Sequence, residues 1–176
     1  MLSVLAPERR LTVSVNERYT PLRLENQLCF ALYAATRAMT KTYRERLGPL
    51  GLTYPQYIVL SVLWESDGLT ISDLGRALML DSGTLTPLVK RLEAMELVTR
   101  NRGVKDEREV EVFLTPKGRD LRDVALGVRE HVVCRLHMSE QEIIGLRRDL
   151  MDLIERLGPV GTECAVVAEV SVGEGE

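Results

Sequence analysis

The run from Thr70 to Val112 restricts the possible folds more than any other part of the chain. Leu74 and Leu78 share a face at i, i+4, which predicts a short helix over Ile71 to Leu78. Thr70 is placed to cap it, with Asp73 three residues on as the acidic partner. Met79 to Asp81 reads as a turn. Leu85, Leu88, Val89, Leu92 and Met95 then recur at three and four residues. They predict a second helix, capped by Asp81 or Ser82 and ending near Met95, with those side chains inward. Ser82, Thr84, Thr86, Lys90 and Arg91 are left facing outward. Two strands follow, Leu97 to Arg102 and Glu109 to Leu114, around a charged loop over 103–108. In the second strand Val110, Val112 and Leu114 alternate with Glu109, Glu111 and Phe113, as in a strand with one buried face. This is the pattern of a winged helix-turn-helix, a mainly α fold with a small β-wing. Such a module seats its second helix in the major groove of double-stranded DNA. The hairpin cations Arg100, Arg102, Lys105 and Arg108 suit phosphates and the minor groove. A helical subdomain with a solvated hairpin is the plainer reading of the same pattern.

At 176 residues the chain has room for one domain and tails. We expect an N-terminal arm at 1–21, a single domain at 22–157 and a C-terminal tail at 158–176. Within the domain, the winged module falls at about 55–115 and the flanking helices at about 22–47 and 116–157. The net charge of −3 excludes bulk electrostatic affinity for nucleic acid. Binding must come from a local patch, and Lys90, Arg91, Arg100, Arg102 and Lys105 outnumber Glu93 and Glu96 in that stretch. No apolar run approaches the roughly 18 residues of a membrane span. Pro7 and the charged Glu8-Arg9-Arg10 break up the N-terminal apolar residues, so no secretory leader is expected. Cys29, Cys134 and Cys164 are far apart and odd in number, which suits a reducing cytoplasm better than a disulfide framework.

The flanking helices have clear signals. Leu28, Leu32, Ala35, Met39 and Tyr43 predict a long helix from about Leu22 to Leu47, stopped by Gly48-Pro49. Thr53 and Gln56 form a capping-box pattern that opens a helix from about Pro55 to Ser66. Thr115-Pro116 opens another, to about Leu136, and Ser139 with Glu142 opens the last, to about Leu157. Terminal helices with wide apolar stripes and nothing to cover them predict a two-fold homodimer. Its recognition helices would lie one DNA turn apart, about 34 Å, on a palindromic operator.

Cys29 sits beside the apolar stripe of the first helix, where a free cysteine is often a small buried hydrophobe. Tyr43 points in nearly the same direction, but fourteen residues further on, or about 21 Å along one helix axis. The two groups meet only if two such helices cross in a dimer, and Tyr54 could join them there. Phenols are donors that favour a thiolate over a thiol, and the thiolate is the form that attacks a peroxide. Cys134 is a possible second thiol or an inert one. His131 and His137 flank it at three-residue steps, too spread on a helix for a well-converged metal site.

The stretches LENQLCFALYAATRAMTKTY (24–43), LTYPQY (52–57), LDSGTLTPLVKRLE (80–93) and DEREVEVFLTPKG (106–118) resemble the organic hydroperoxide resistance regulators (OhrR) of the MarR family. The resemblance spans about residues 22 to 157. The last two stretches mark the family broadly, and NQLCF and TYPQY mark the peroxide-sensing group. The resemblance implies a DNA-binding repressor, with Cys29 as the peroxide-reactive thiol and Tyr43 and Tyr54 as its hydrogen-bond donors across the dimer. It implies Cys134 as the resolving thiol of the two-cysteine type, bonded on oxidation to Cys29 of the other subunit. It also implies that Arg108, paired with Asp106, enters the minor groove. The N-terminal arm and the tail with Cys164 depart from the pattern. No cofactor is expected. Two other readings remain at this point: a regulator answering a small aromatic ligand or a metal, and a thiol peroxidase.

Overall fold

A computed structural model describes residues 17–103 and 109–158. Lys105, Asp106, Arg108 and Cys164 lie outside the described residues, as do most of the expected arm and tail.

The expected elements appear in order, with one short strand, β1, that was not expected: α1 (Leu28–Leu47), α2 (Tyr54–Glu65), β1 (Leu69–Thr70), α3 (Ile71–Leu78), α4 (Ser82–Ala94), β2 (Val98–Arg102), β3 (Val110–Leu114), α5 (Pro116–Leu136) and α6 (Glu140–Leu157). The first helix starts six residues later than its apolar pattern predicts. Two 3-10 turns, Glu17–Leu22 and Leu24–Asn26, occupy the intervening chain. Asn26 Nδ2 donates to the Thr20 carbonyl at 2.9 Å, and Gln27 Nε2 donates to the Pro21 carbonyl at 3.0 Å. These side-chain bonds to backbone compete with helix formation. Gln27 is extended, and the α-helix begins only after it.

Several caps form as their residues suggest. Thr70 Oγ1 accepts from the Asp73 N–H at 3.1 Å, while the Asp73 carboxylate accepts from the Thr70 N–H and hydroxyl. Asp81 caps α4 through the Thr84 N–H at 2.9 Å. Ser139 and Glu142 exchange bonds at the start of α6. At α2, Gln56 Oε1 accepts from the Thr53 N–H at 2.8 Å and its hydroxyl at 2.9 Å, and Gln56 is itself buried.

The core lies where the inner faces of α2, α3 and α4 meet the sheet. Val59, Leu60, Leu63, Leu74, Leu85, Val89, Leu92, Val98 and Val112 are buried there. The sheet order is β1-β3-β2, all antiparallel, with Leu69 opposite Val112 and Arg102 opposite Val110. The two-residue β1 is too short to show any alternation in sequence. The start of α5 is drawn tightly against this core. A Cβ on Gly118 would stand 2.0 Å from the Leu97 carbonyl oxygen, so only glycine fits there.

The chain divides into two compact units, the second beginning at Val133 within the last turn of α5. In that second unit α6 buries none of its residues, and Ile144, Leu146, Met151, Ile154 and Leu157 are exposed. In the first unit Leu22, Leu24, Leu28, Phe30, Tyr33, Val124 and Leu126 are exposed as well. None of the described helices is long and apolar enough to cross a membrane.

Candidate redox and nucleic-acid-binding site

The later start of α1 changes the setting of Cys29. Counting from the N-cap Gln27, Cys29 is the second residue of the helix rather than a mid-helix residue. First-turn N–H groups lack intrahelical acceptors, and the helix dipole puts positive potential there. Gln27 makes no side-chain cap bond, so these donors are left to other groups. The thiol is exposed, and Sγ donates to Gln27 Oε1 at 3.6 Å. The amide orientation is consistent, because Gln27 Nε2 is already committed to the Pro21 carbonyl.

Tyr43 and Tyr54 come together from α1 and the start of α2, with ring centroids 4.7 Å apart. Tyr57, which the sequence reading passed over, completes the group at 5.5 Å from Tyr43 and 6.3 Å from Tyr54. Its signal was its place three residues after Tyr54, on the same face of α2. Burial, then the neighbouring Tyr57 and Tyr54 phenols, push Tyr43 up to about 12, against a small opposing effect of Arg129. Burial and Tyr57 raise Tyr54 as well. Both groups therefore remain protonated donors across the whole physiological range.

Cys134 is exposed on the last turn of α5, in the second unit. His131 has another role than neighbour to a metal. Arg46 donates to its Nδ1 at 3.3 Å, and its Nε2 lies 3.4 Å from Glu45, which ties α5 to α1.

On the surface of the winged module, Ser82, Thr84, Lys90 and Arg91 are exposed along α4 and Thr86 is half-buried, while Leu85, Val89 and Leu92 point inward. The Thr84 hydroxyl donates to Asp81 at 2.7 Å and so serves the cap. An open groove of about 800 Å³ runs along this face, lined by Ser82 and Thr86 of α4, Ser72 and Arg76 of α3, and Glu109 and Val110 of the wing. Ser72 and Arg76 were not picked out from the sequence, although their place on the outer face of a predicted helix was a usable signal. Arg102 is exposed at the end of β2. Arg100 differs. Its Nε and Nη2 reach Glu93 Oε2 at 2.8 and 2.6 Å, and its N–H donates to Glu93 Oε1 at 3.3 Å. This cation joins the wing to α4.

Comparison with known proteins agrees with this fold. Residues 41–124 match the family model described as transcriptional regulator SarA/Rot. The organic hydroperoxide resistance transcriptional regulator of Bacillus subtilis (strain 168) is 42% identical over 143 residues, covering 81% of this chain and 97% of that protein. Among solved structures, reduced AbfR bound to DNA superposes with a TM-score of 0.66 at 34% identity, covering 80% of this chain and 97% of that one. Disulfide-formed AbfR gives 0.55 at 35% identity, with 80% and 93% covered. AbfR is a Staphylococcus epidermidis protein. These relatives are regulators rather than thiol peroxidases. With the Bacillus regulator matched over nearly its full length, this chain belongs to the MarR family of transcriptional regulators, in its organic hydroperoxide resistance group.

Proposed function

We propose that this chain is a homodimeric DNA-binding repressor released from its operator by organic hydroperoxides through Cys29. The observation that carries the reading is the pairing of two parts. An exposed thiol lies in the uncapped first turn of α1, and two phenols in tilted contact are held protonated at the other end of that helix. Within one protomer they are about 21 Å apart. A second copy with its α1 crossing the first brings each thiol to the other's phenols. The exposed apolar residues of the N-terminal turns, α1 and α6 supply the surface that such a copy covers.

The reduced dimer binds a palindrome, with Ser82, Thr86, Lys90 and Arg91 of each α4 in the major groove and Arg102, Lys105 and Arg108 of each wing at the backbone and minor groove. Oxidation proceeds in two balanced steps. The Cys29 thiolate attacks the O–O bond, giving a sulfenic acid and, with one proton, the alcohol. The Cys134 thiol of the other subunit then displaces water from that sulfenic acid, leaving an intersubunit disulfide. Disulfide-formed and DNA-bound reduced states of the relative AbfR support this pair of end states. The covalent bond holds the shifted arrangement until it is reduced.

The test replaces Cys29 by Ser and follows a fluorescent duplex, enriched from random-sequence DNA by the reduced protein, by anisotropy. Cumene hydroperoxide should release the duplex from the wild type and leave it bound to Cys29→Ser. Release from both proteins would remove the thiol and leave a winged regulator answering another signal.

A further inference from the structure

The thiol switch needs a path by which α5, which carries Cys134, moves the wing. The first turn of α5 is fastened to the winged module at several points. Trp64 Nε1 donates to the Gly118 carbonyl at 2.9 Å, the Thr115 hydroxyl to the Glu96 carbonyl at 2.7 Å, and Lys117 Nζ to the Met95 carbonyl at 2.9 Å. Asp67, in the turn after α2, differs from these because its carboxylate joins three elements at once. Oδ1 accepts from the N–H of Leu114, the last residue of β3, at 2.8 Å, and from its neighbour Gly68 at 3.0 Å. Oδ2 accepts from Arg119 Nη2 at 2.6 Å. The end of α2, the wing strand and α5 therefore meet on one side chain. Burial pushes the Asp67 carboxyl up, but the Leu114 N–H and Arg119 outweigh it and keep the group ionised.

We infer that Asp67 and Arg119 are positioning residues that carry displacement of α5 to β3 and the wing. The inference rests on the thiol-switch reading above. The wing and recognition helix already share the Arg100–Glu93 pair, so a pull on β3 at Leu114 turns both DNA-contacting parts together. A straight helix transmits such a pull only if its first turn is tied to what must move. The side-chain pair at Asp67 can be cut without altering a backbone bond, since Arg119→Ala leaves both N–H groups on Oδ1.

The experiment compares wild type, Arg119→Ala and Arg119→Lys. Each is measured reduced and after cumene hydroperoxide, by anisotropy on the same enriched duplex, with the disulfide followed on non-reducing gels. Allosteric couplings typically span about 5- to 150-fold in affinity. We expect Arg119→Ala to form the disulfide to the wild-type extent, yet to show a reduced-to-oxidised affinity ratio at least about fivefold smaller, restored by lysine. An unchanged ratio overturns the inference. So does an equal loss of affinity in both redox states, which marks a merely structural role, or thermal unfolding of both variants below assay temperature. A wild type that never releases DNA overturns the thiol switch itself, and is recognised by that control alone.

Discussion

Replacing Tyr43 by Phe removes one hydroxyl and little else. Its ring remains against Tyr54 and Tyr57 at 4.7 and 5.5 Å, so the melting temperature should hardly change. Under the proposed switch the consequence falls on Cys29 of the sister protomer. A hydrogen bond to a charged acceptor contributes about 1.5–3 kcal/mol, and each 1.4 kcal/mol is tenfold, so about 10- to 100-fold of thiolate population is at stake. Tyr54 stays as second donor, which places the single variant near the lower end and Tyr43→Phe with Tyr54→Phe near the upper end. The assay is the rate of reaction with cumene hydroperoxide at pH 7, read by loss of free thiol. The pH profile gives an independent sign. Both phenols titrate above their ordinary value, Tyr43 near 12, so each keeps its proton below about pH 10. The rate should show no falling limb before pH 10. A folded double variant that reacts at the wild-type rate would refute the reasoning.

Three further outcomes follow from the winged module and its caps. Leu85 is fully buried on the inner face of α4, so Leu85→Ala should cost about 2–5 kcal/mol in urea unfolding. Arg100→Ala should leave the salt dependence of DNA binding unaltered, because its guanidinium is committed to Glu93; Arg102→Ala should flatten the log–log slope by about one unit. Asp67, Asp73, Asp81, Glu93 and Glu142 are held below the ordinary carboxylate range, chiefly by hydrogen bonds that outweigh desolvation. A folded-state pKa below the unfolded one gives stability that is complete above about pH 5 and lost as pH falls through the folded values. Thermal midpoints should therefore be level from pH 7 to about 5 and drop below about pH 4.

Local signals were legible wherever one short-range interaction decides the outcome. Thr70 with Asp73 and Ser139 with Glu142 set helix starts within a residue, and Thr115-Pro116 marked the first turn of α5. The inward faces of α4 and β3 were legible from period alone. The start of α1 was not. Leu24 continues the apolar pattern four residues before Leu28, but Asn26 and Gln27 spend their amides on backbone carbonyls behind them. That competition needs the chain folded back on itself, and periodicity carries no trace of it. Arg100 reads as one more hairpin cation until β2 brings it beside Glu93, seven residues earlier. His131 is likewise claimed by Glu45 and Arg46, which lie more than eighty residues away. The Tyr43–Tyr54 pair was expected from helix phase and the resemblance, while Tyr57 beside it needed packing to be seen.

The most direct test of the switch is peptide mapping of the non-reduced protein after one equivalent of cumene hydroperoxide per thiol. The account predicts a cross-linked dimer in which the Cys29 peptide is joined to the Cys134 peptide, appearing in step with loss of DNA binding. Release of DNA with both peptides still monomeric, or with Cys29 joined to Cys164 instead, would contradict it.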